Sequence, residues 1–183
     1  FIVNLLTSSA NVILAFSLLV YIGANARRSA VARGFVGLMG FVMVVYAGDV
    51  LLARVTDWNA ARFWLRFQWI GIALVPAAYL HFSDALLRTT NIYSIWRRAA
   101  TFAAYLAGLA FFLLANSTES IVRDNIFSPF APQFAAGSYF WVFGVYFVIT
   151  LALGLFNTVW ARYRCLTSAS QRRMTYLLIS FAA

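Results

Sequence analysis

The stretch FWLRFQWIGIALVPAAYLHFSDALL, residues 63–87, decides the fold. As a helix rising 1.5 Å per residue it is about 37 Å long, enough to cross a hydrocarbon core of about 30 Å. Comparable apolar stretches run over 2–23, 35–53, 99–115 and 138–161, and a further one opens at Met174 and reaches Ala183. Those last ten residues would rise only about 15 Å, half a bilayer. The reading is an all-α, polytopic transmembrane bundle with five full spans and the start of a sixth. The partial sixth span and the Phe1 start lead us to expect a piece of a longer protein.

Composition agrees. Apolar residues make up 63% of the chain and charged residues 10%, against about 25% charged in soluble domains. All 14 basic residues are Arg, and the net charge is +9. In a membrane protein the placement of charge says more than its sum. Arg27, Arg28 and Arg33 lie in or beside the first connection, Arg88, Arg97 and Arg98 in the third, and Arg162, Arg164, Arg172 and Arg173 in the fifth. Arg54, Arg62, Arg66 and Arg123 lie at the second and fourth, diluted by Asp57, Glu119 and Asp124. The positive-inside bias therefore puts the odd connections in the cytoplasm and the N-terminus outside. A partner nucleic acid is not expected; the partner surface is a lipid bilayer. Trp58, Trp64, Tyr93, Trp96, Tyr139, Trp141, Trp160 and Tyr163 near the span ends read as the aromatic belt of the two interfaces.

Polar residues inside the spans are the candidates for function, because each is costly unless it faces protein or water. Asn4, Ser8 and Asn11 share one face of the first span and should point inward. Gly34, Gly37, Gly40, Ala47 and Gly48 offer small surfaces for close helix contact on the second. The hairpin of the second and third spans brings Asp49 and Arg66 to similar depth, where we expect a structural ion pair, with a ligand contact as the other reading. On the third span Ala73, Ala77, His81 and Asp84 share one face, so His81 and Asp84 are close enough to meet. A carboxylate one turn away favours the protonated imidazole, and such a pair could relay a proton or sense charge near the cytoplasmic leaflet. The alternative has His81 bonded to a neighbouring helix and Asp84 paired with Arg88 four residues on. Pro76 removes a backbone donor at mid-span.

The connection 116–137 is the one long loop. With Pro129, Pro132, Phe127, Phe130 and Phe134 it is too apolar for a free linker, and loops of this length often cover binding sites. We expect it to fold over the outer mouth of the bundle, either as a ligand lid or as a seal.

Several chemistries find no support. His81 is the only histidine, so bis-histidine haem cannot form within the segment, and a retinal Schiff base lacks its Lys. Cys165 has no disulfide partner in the chain, and no metal spacing, phosphate loop or nucleophile elbow is present. No catalytic site, metal or cofactor is expected. A single axial ligand at His81 leaves room for a pigment, and an intramembrane quinone also stays open.

The run from Arg62 through Gln68, Gly71 and Pro76 to Asp84 resembles the third helix of the seven-helix membrane region found at the N-terminus of many bacterial sensor histidine kinases. The similarity lies in an aromatic-rich entry, a Gly and a mid-helix Pro. Gly137-Ser-Tyr-Phe-Trp141 after the long loop, and Ser170-Gln-Arg-Arg-Met174 at the sixth span, look like the same family. The resemblance implies a module of the bacterial cytoplasmic membrane whose seventh helix leads to cytoplasmic signalling domains, among them a histidine kinase. It would anchor and regulate that effector in a two-component system, with an unknown small ligand and a homodimer or partner helices as associates. The alternative reading is a non-catalytic subunit of a larger membrane complex, bioenergetic or pigment-binding.

Overall fold

The computed structural model describes residues 2–25, 29–125, 133–165, 171–172 and 175–176, with the side chains of Ile2, Asn4 and Asn125 left aside. Five long helices dominate: α1 (Ile2–Asn25), α2 (Ala30–Leu52), α3 (Trp58–Arg88), α4 (Ile95–Ser117) and α5 (Phe140–Arg164). All five are long and apolar enough to cross a membrane. The loop between α4 and α5 contains β1 (Val122–Asn125) and β2 (Gln133–Ala136), paired antiparallel with Val122 opposite Ala136 and Asn125 opposite Gln133. Four-residue strands are too short for a period-two pattern to stand out, which is why the sequence reads there only as a loop. The partial sixth span apart from residues 175–176, together with Pro129, Pro132, Phe127 and Phe130, lies outside the described residues.

Helices α2 and α3 begin several residues before their apolar stretches, where the chain supplies caps. The Ser29 hydroxyl accepts from the Ala32 amide, and the Asp57 carboxylate accepts from the Ala60 amide at 3.1 Å. Each satisfies one of the amides that a helix start leaves without an intrahelical partner. Helix α3 thus begins at Trp58 and reaches 31 residues, about 47 Å, so it must tilt or project beyond the bilayer core.

Helix α3 is the central post. It packs against α2, α4 and α5, whereas α1 rests on α2 and α4 scarcely touches α5. Burial follows that arrangement: Ala73, Ala77, Ala78, Tyr79, Leu80, Phe82 and Leu87 of α3 are all buried, while Val3, Ile13, Phe102, Val148 and Phe156 of the outer helices are exposed. Lipid tails are as apolar as those side chains, so close packing rather than water exclusion holds the helices together. A Cβ on Gly71 would sit 2.5 Å from the Phe41 carbonyl of α2, and one on Gly108 would sit 2.7 Å from the Ala73 carbonyl of α3. Of the glycines on α2, Gly34 and Gly48 face α3, whereas Gly37 meets nothing within 4 Å. The small-residue stripe expected along α2 is therefore used at its ends. The Tyr146 hydroxyl of α5 lies 3.0 Å from the Ala73 carbonyl and 3.2 Å from the Ala104 carbonyl, joining α5 to α3 and α4 with a proton it donates to one at a time.

Candidate functional site

Two polar ends and a cleft make up the candidate site, and α3 runs through all of them. At the end carrying the β-hairpin, Gln68 stands 5% exposed amid apolar side chains. Its carboxamide nitrogen donates to the Asp49 carboxylate at 2.6 Å and to the Val45 carbonyl at 3.1 Å. The Ser8 hydroxyl of α1 donates to the other Asp49 oxygen at 3.4 Å. Asp49 thereby links α1, α2 and α3. Bonds to an anionic acceptor are roughly twice as strong as neutral ones.

Arg66 does not reach Asp49, which corrects the expected ion pair. It stands two residues before Gln68, and two helical residues point about 200° apart, so one faces α2 and the other α4. The Arg66 guanidinium donates to the Ala115 carbonyl at 3.3 Å and to the Asn116 carbonyl, both at the C-terminal end of α4. Those carbonyls lack intrahelical donors, and a cation there also meets the negative end of the helix dipole. The same guanidinium lies 3.8 Å from Asp124 and 5.7 Å from the Phe134 ring centre, and Arg62 pairs with Asp124 at 2.9 Å. The two arginines clamp both strands of the hairpin to α3 and α4.

Under the hairpin lies a cleft of about 380 Å³. Leu65, Gln68, Trp69 and Ile72 of α3 form one wall, and Val122, Phe134 and Phe140 are among the side chains opposite. Trp69 packs against the Phe143 ring at 5.1 Å, so its position is set by α5 as well. A mostly apolar cleft with one fixed carboxamide suits a small, largely apolar ligand that offers one hydrogen-bonding group.

At the other end of α3, Asp84 is 1% exposed. Its carboxylate accepts from Arg88, four residues on, and from Arg97 Nε of α4 at 3.1 Å. Arg97 also donates to the Ile92 carbonyl at 2.7 Å and lies 6.0 Å from the Trp160 ring of α5. Beside this cluster, Asn157 of α5 donates to the Ser83 hydroxyl at 3.3 Å. A carboxylate this deep would cost several kcal/mol if left unpaired (about 3–5 kcal/mol on loss of a partner), so the two arginines are structural necessities.

His81 and Asp84 share no hydrogen bond. The His81 Nδ1 instead shares one with the Tyr105 hydroxyl of α4 at 3.3 Å, and the imidazole is exposed on the outer surface. Ser8 is buried as its stripe suggested and Asn11 half-buried, while the Asn4 side chain lies outside the description. Gln68, Arg97, Asp124, Tyr105 and Asn157 were not singled out from sequence. Gln68 was the most legible of them, a carboxamide flanked by two aromatics in a run that otherwise carries a single charge over 63–80. Among the described residues no three His, Cys, Asp or Glu side chains converge as metal ligands would.

A sequence model of one protein family, described as the N-terminal 7TM region of histidine kinase, matches residues 7–183 of the chain. No curated protein and no solved structure matches it significantly.

Proposed function

The chain belongs to the family of N-terminal 7TM regions of histidine kinases, and from that premise we propose that it is the sensory module of a bacterial two-component receptor. It sits in the cytoplasmic membrane with its N-terminus and the β-hairpin outside, and it regulates a kinase joined beyond its seventh helix. The observation that carries this reading is the hairpin-covered cleft built on α3, the helix that also holds the Asp84 cluster at its opposite end. A small ligand entering between Trp69, Gln68 and Phe134 would touch α3, the hairpin and the start of α5 together. If it binds one packing of these elements better than another, it shifts the population toward that packing. The Asp84 cluster, which joins α3 to α4 and neighbours α5, would carry the shift to the cytoplasmic side.

The test is autophosphorylation of the full-length protein in proteoliposomes. Trp69→Ala and Phe134→Ala, on opposite walls of the cleft, should change basal kinase output or its response to cell extract, with Arg98→Gln as an unaffected control. Kinase output indifferent to both cleft substitutions would overturn the sensory assignment of the cleft. An open reading frame with no signalling domain, in a protein that purifies with other membrane subunits, would favour the subunit reading.

A further inference from the structure

His81 is left unused by the site described above, and the groove around it has a chemistry of its own. Phe63, Phe67, Ile70, Leu74, His81 and Arg88 recur along one strip of α3 at intervals of four, three, four, seven and seven. None of the six is buried, although residues on either side of the strip are. Helix α2 packs on one flank, where a Cβ on Gly34 would lie 3.1 Å from the Phe82 backbone. Helix α4 packs on the other, where Gly108 meets the Ala73 carbonyl. Because α2 and α4 scarcely touch each other, the strip is the floor of a groove open to the side.

One end of this groove is cationic. Arg33 precedes Gly34 on the α2 wall, Tyr105 on the α4 wall is bonded to His81, and Arg88 stands two turns further along the floor. The charges of Arg88, Asp84 and Arg33 all act on the imidazole. Arg88 and Arg97 share the one carboxylate at this end, Asp84, and with Arg33 at the groove the basic residues outnumber the acidic ones there. Toward mid-membrane the floor is apolar. His81 and Ile70 are separated by about 17 Å of helix, close to half of the roughly 30 Å core, the depth of one leaflet.

We propose that this groove binds one anionic phospholipid from the leaflet at the α3–α4 end. Its phosphate accepts a hydrogen bond from whichever donor the His81–Tyr105 bond leaves free, His81 Nε2–H or the Tyr105 hydroxyl, and faces Arg33 and Arg88, and an acyl chain lies along Leu74 and Ile70. The lateral opening and apolar floor select a lipid over a soluble anion. The net positive charge of this end selects an anionic headgroup over a zwitterionic one, whose ammonium would meet the same arginines. Occupancy would brace α2 against α4 across α3, so the lipid content of the membrane becomes an input independent of the cleft beneath the hairpin.

The experiment is native mass spectrometry of the delipidated full-length protein titrated with phosphatidylglycerol or phosphatidylcholine. One phosphatidylglycerol should bind tighter than any phosphatidylcholine, and the double variant Arg33→Gln, His81→Gln should weaken that event by about ten-fold or more. Arg123→Gln, at the hairpin end, should leave it intact. Gel filtration reports folding; should the double variant fail to fold, Arg33→Gln alone, at an exposed position, is read and should still weaken the site several-fold. An unchanged affinity, an equal loss in the Arg123→Gln control, or displacement of the lipid by millimolar inorganic phosphate would each overturn the proposal.

Discussion

Gln68, rather than Arg66, is the partner of Asp49: the carboxamide nitrogen sits 2.6 Å from the carboxylate oxygen, while Arg66 turns to the opposite side of the same helix. This division assigns the two polar side chains of α3 to different neighbours. Gln68 joins α3 to α2, and Arg66 joins it to α4 and the hairpin.

A double-mutant cycle in an SDS-unfolding titration from mixed micelles checks that division. Asp49→Ala with Gln68→Ala should show a coupling of about 0.5–3 kcal/mol, the range for residues in contact. Asp49→Ala with Arg66→Ala should be additive within about 0.5 kcal/mol. Arg66→Ala alone should still destabilise more than Arg123→Ala, because Arg66 holds the end of α4 as well as facing Asp124.

Asp84→Asn should be among the most damaging single substitutions. It leaves Arg88 and Arg97 facing each other without their shared carboxylate, and removing one partner of a buried ion pair costs about 3–5 kcal/mol. Arg98→Ala, on the exposed side of the same helix start, should change stability by no more than about 0.5 kcal/mol. Equal unfolding midpoints for the two variants would contradict the cluster.

Helix contacts can be probed with single methyl groups. Gly108→Ala would place a Cβ 2.7 Å from a backbone oxygen of α3 that cannot swing away, and overpacking of this kind costs about 1–3 kcal/mol. Gly37→Ala meets nothing within 4 Å and should gain up to about 1 kcal/mol of helix propensity. Opposite signs are expected in the same unfolding assay; a neutral Gly108→Ala would mean that α4 sits further from α3.

Orientation is open to reporter fusions. An enzyme active only in the cytoplasm should be active when fused after Arg98 and inactive after Ser120. The reverse pattern would place the hairpin and its cleft in the cytoplasm and end the proposal of an external ligand.

Some of this architecture was legible in the residues alone. Apolar length identifies the segments able to cross a bilayer, whereas the caps at Ser29 and Asp57, which start α2 and α3 several residues earlier, were not read from it. Spacing of four placed Asp84 beside Arg88 as one of two arrangements, and the structure has that one. Gly71 and Gly108 gave no sign of which neighbours they admit, since a small residue only permits contact. The hairpin was read as a covering loop, but nothing in its residues announced that Arg62 and Arg66 would anchor it through Asp124.

The division has one physical origin. In water the contrast between core and solvent marks which side of a helix faces inward. In a bilayer the lipid is as apolar as the packed interior, so Phe67, Ile70 and Leu74 outside read much like Leu80 and Phe82 inside. Sequence therefore determined which segments are apolar helices and how deep along each a residue lies, because length and rise per residue suffice for both. Rotation about each helix axis was decided only by the tertiary packing: by Gly71 against Phe41, by Gly108 against Ala73, and by the two sides of α3 from which Gln68 and Arg66 reach their separate partners.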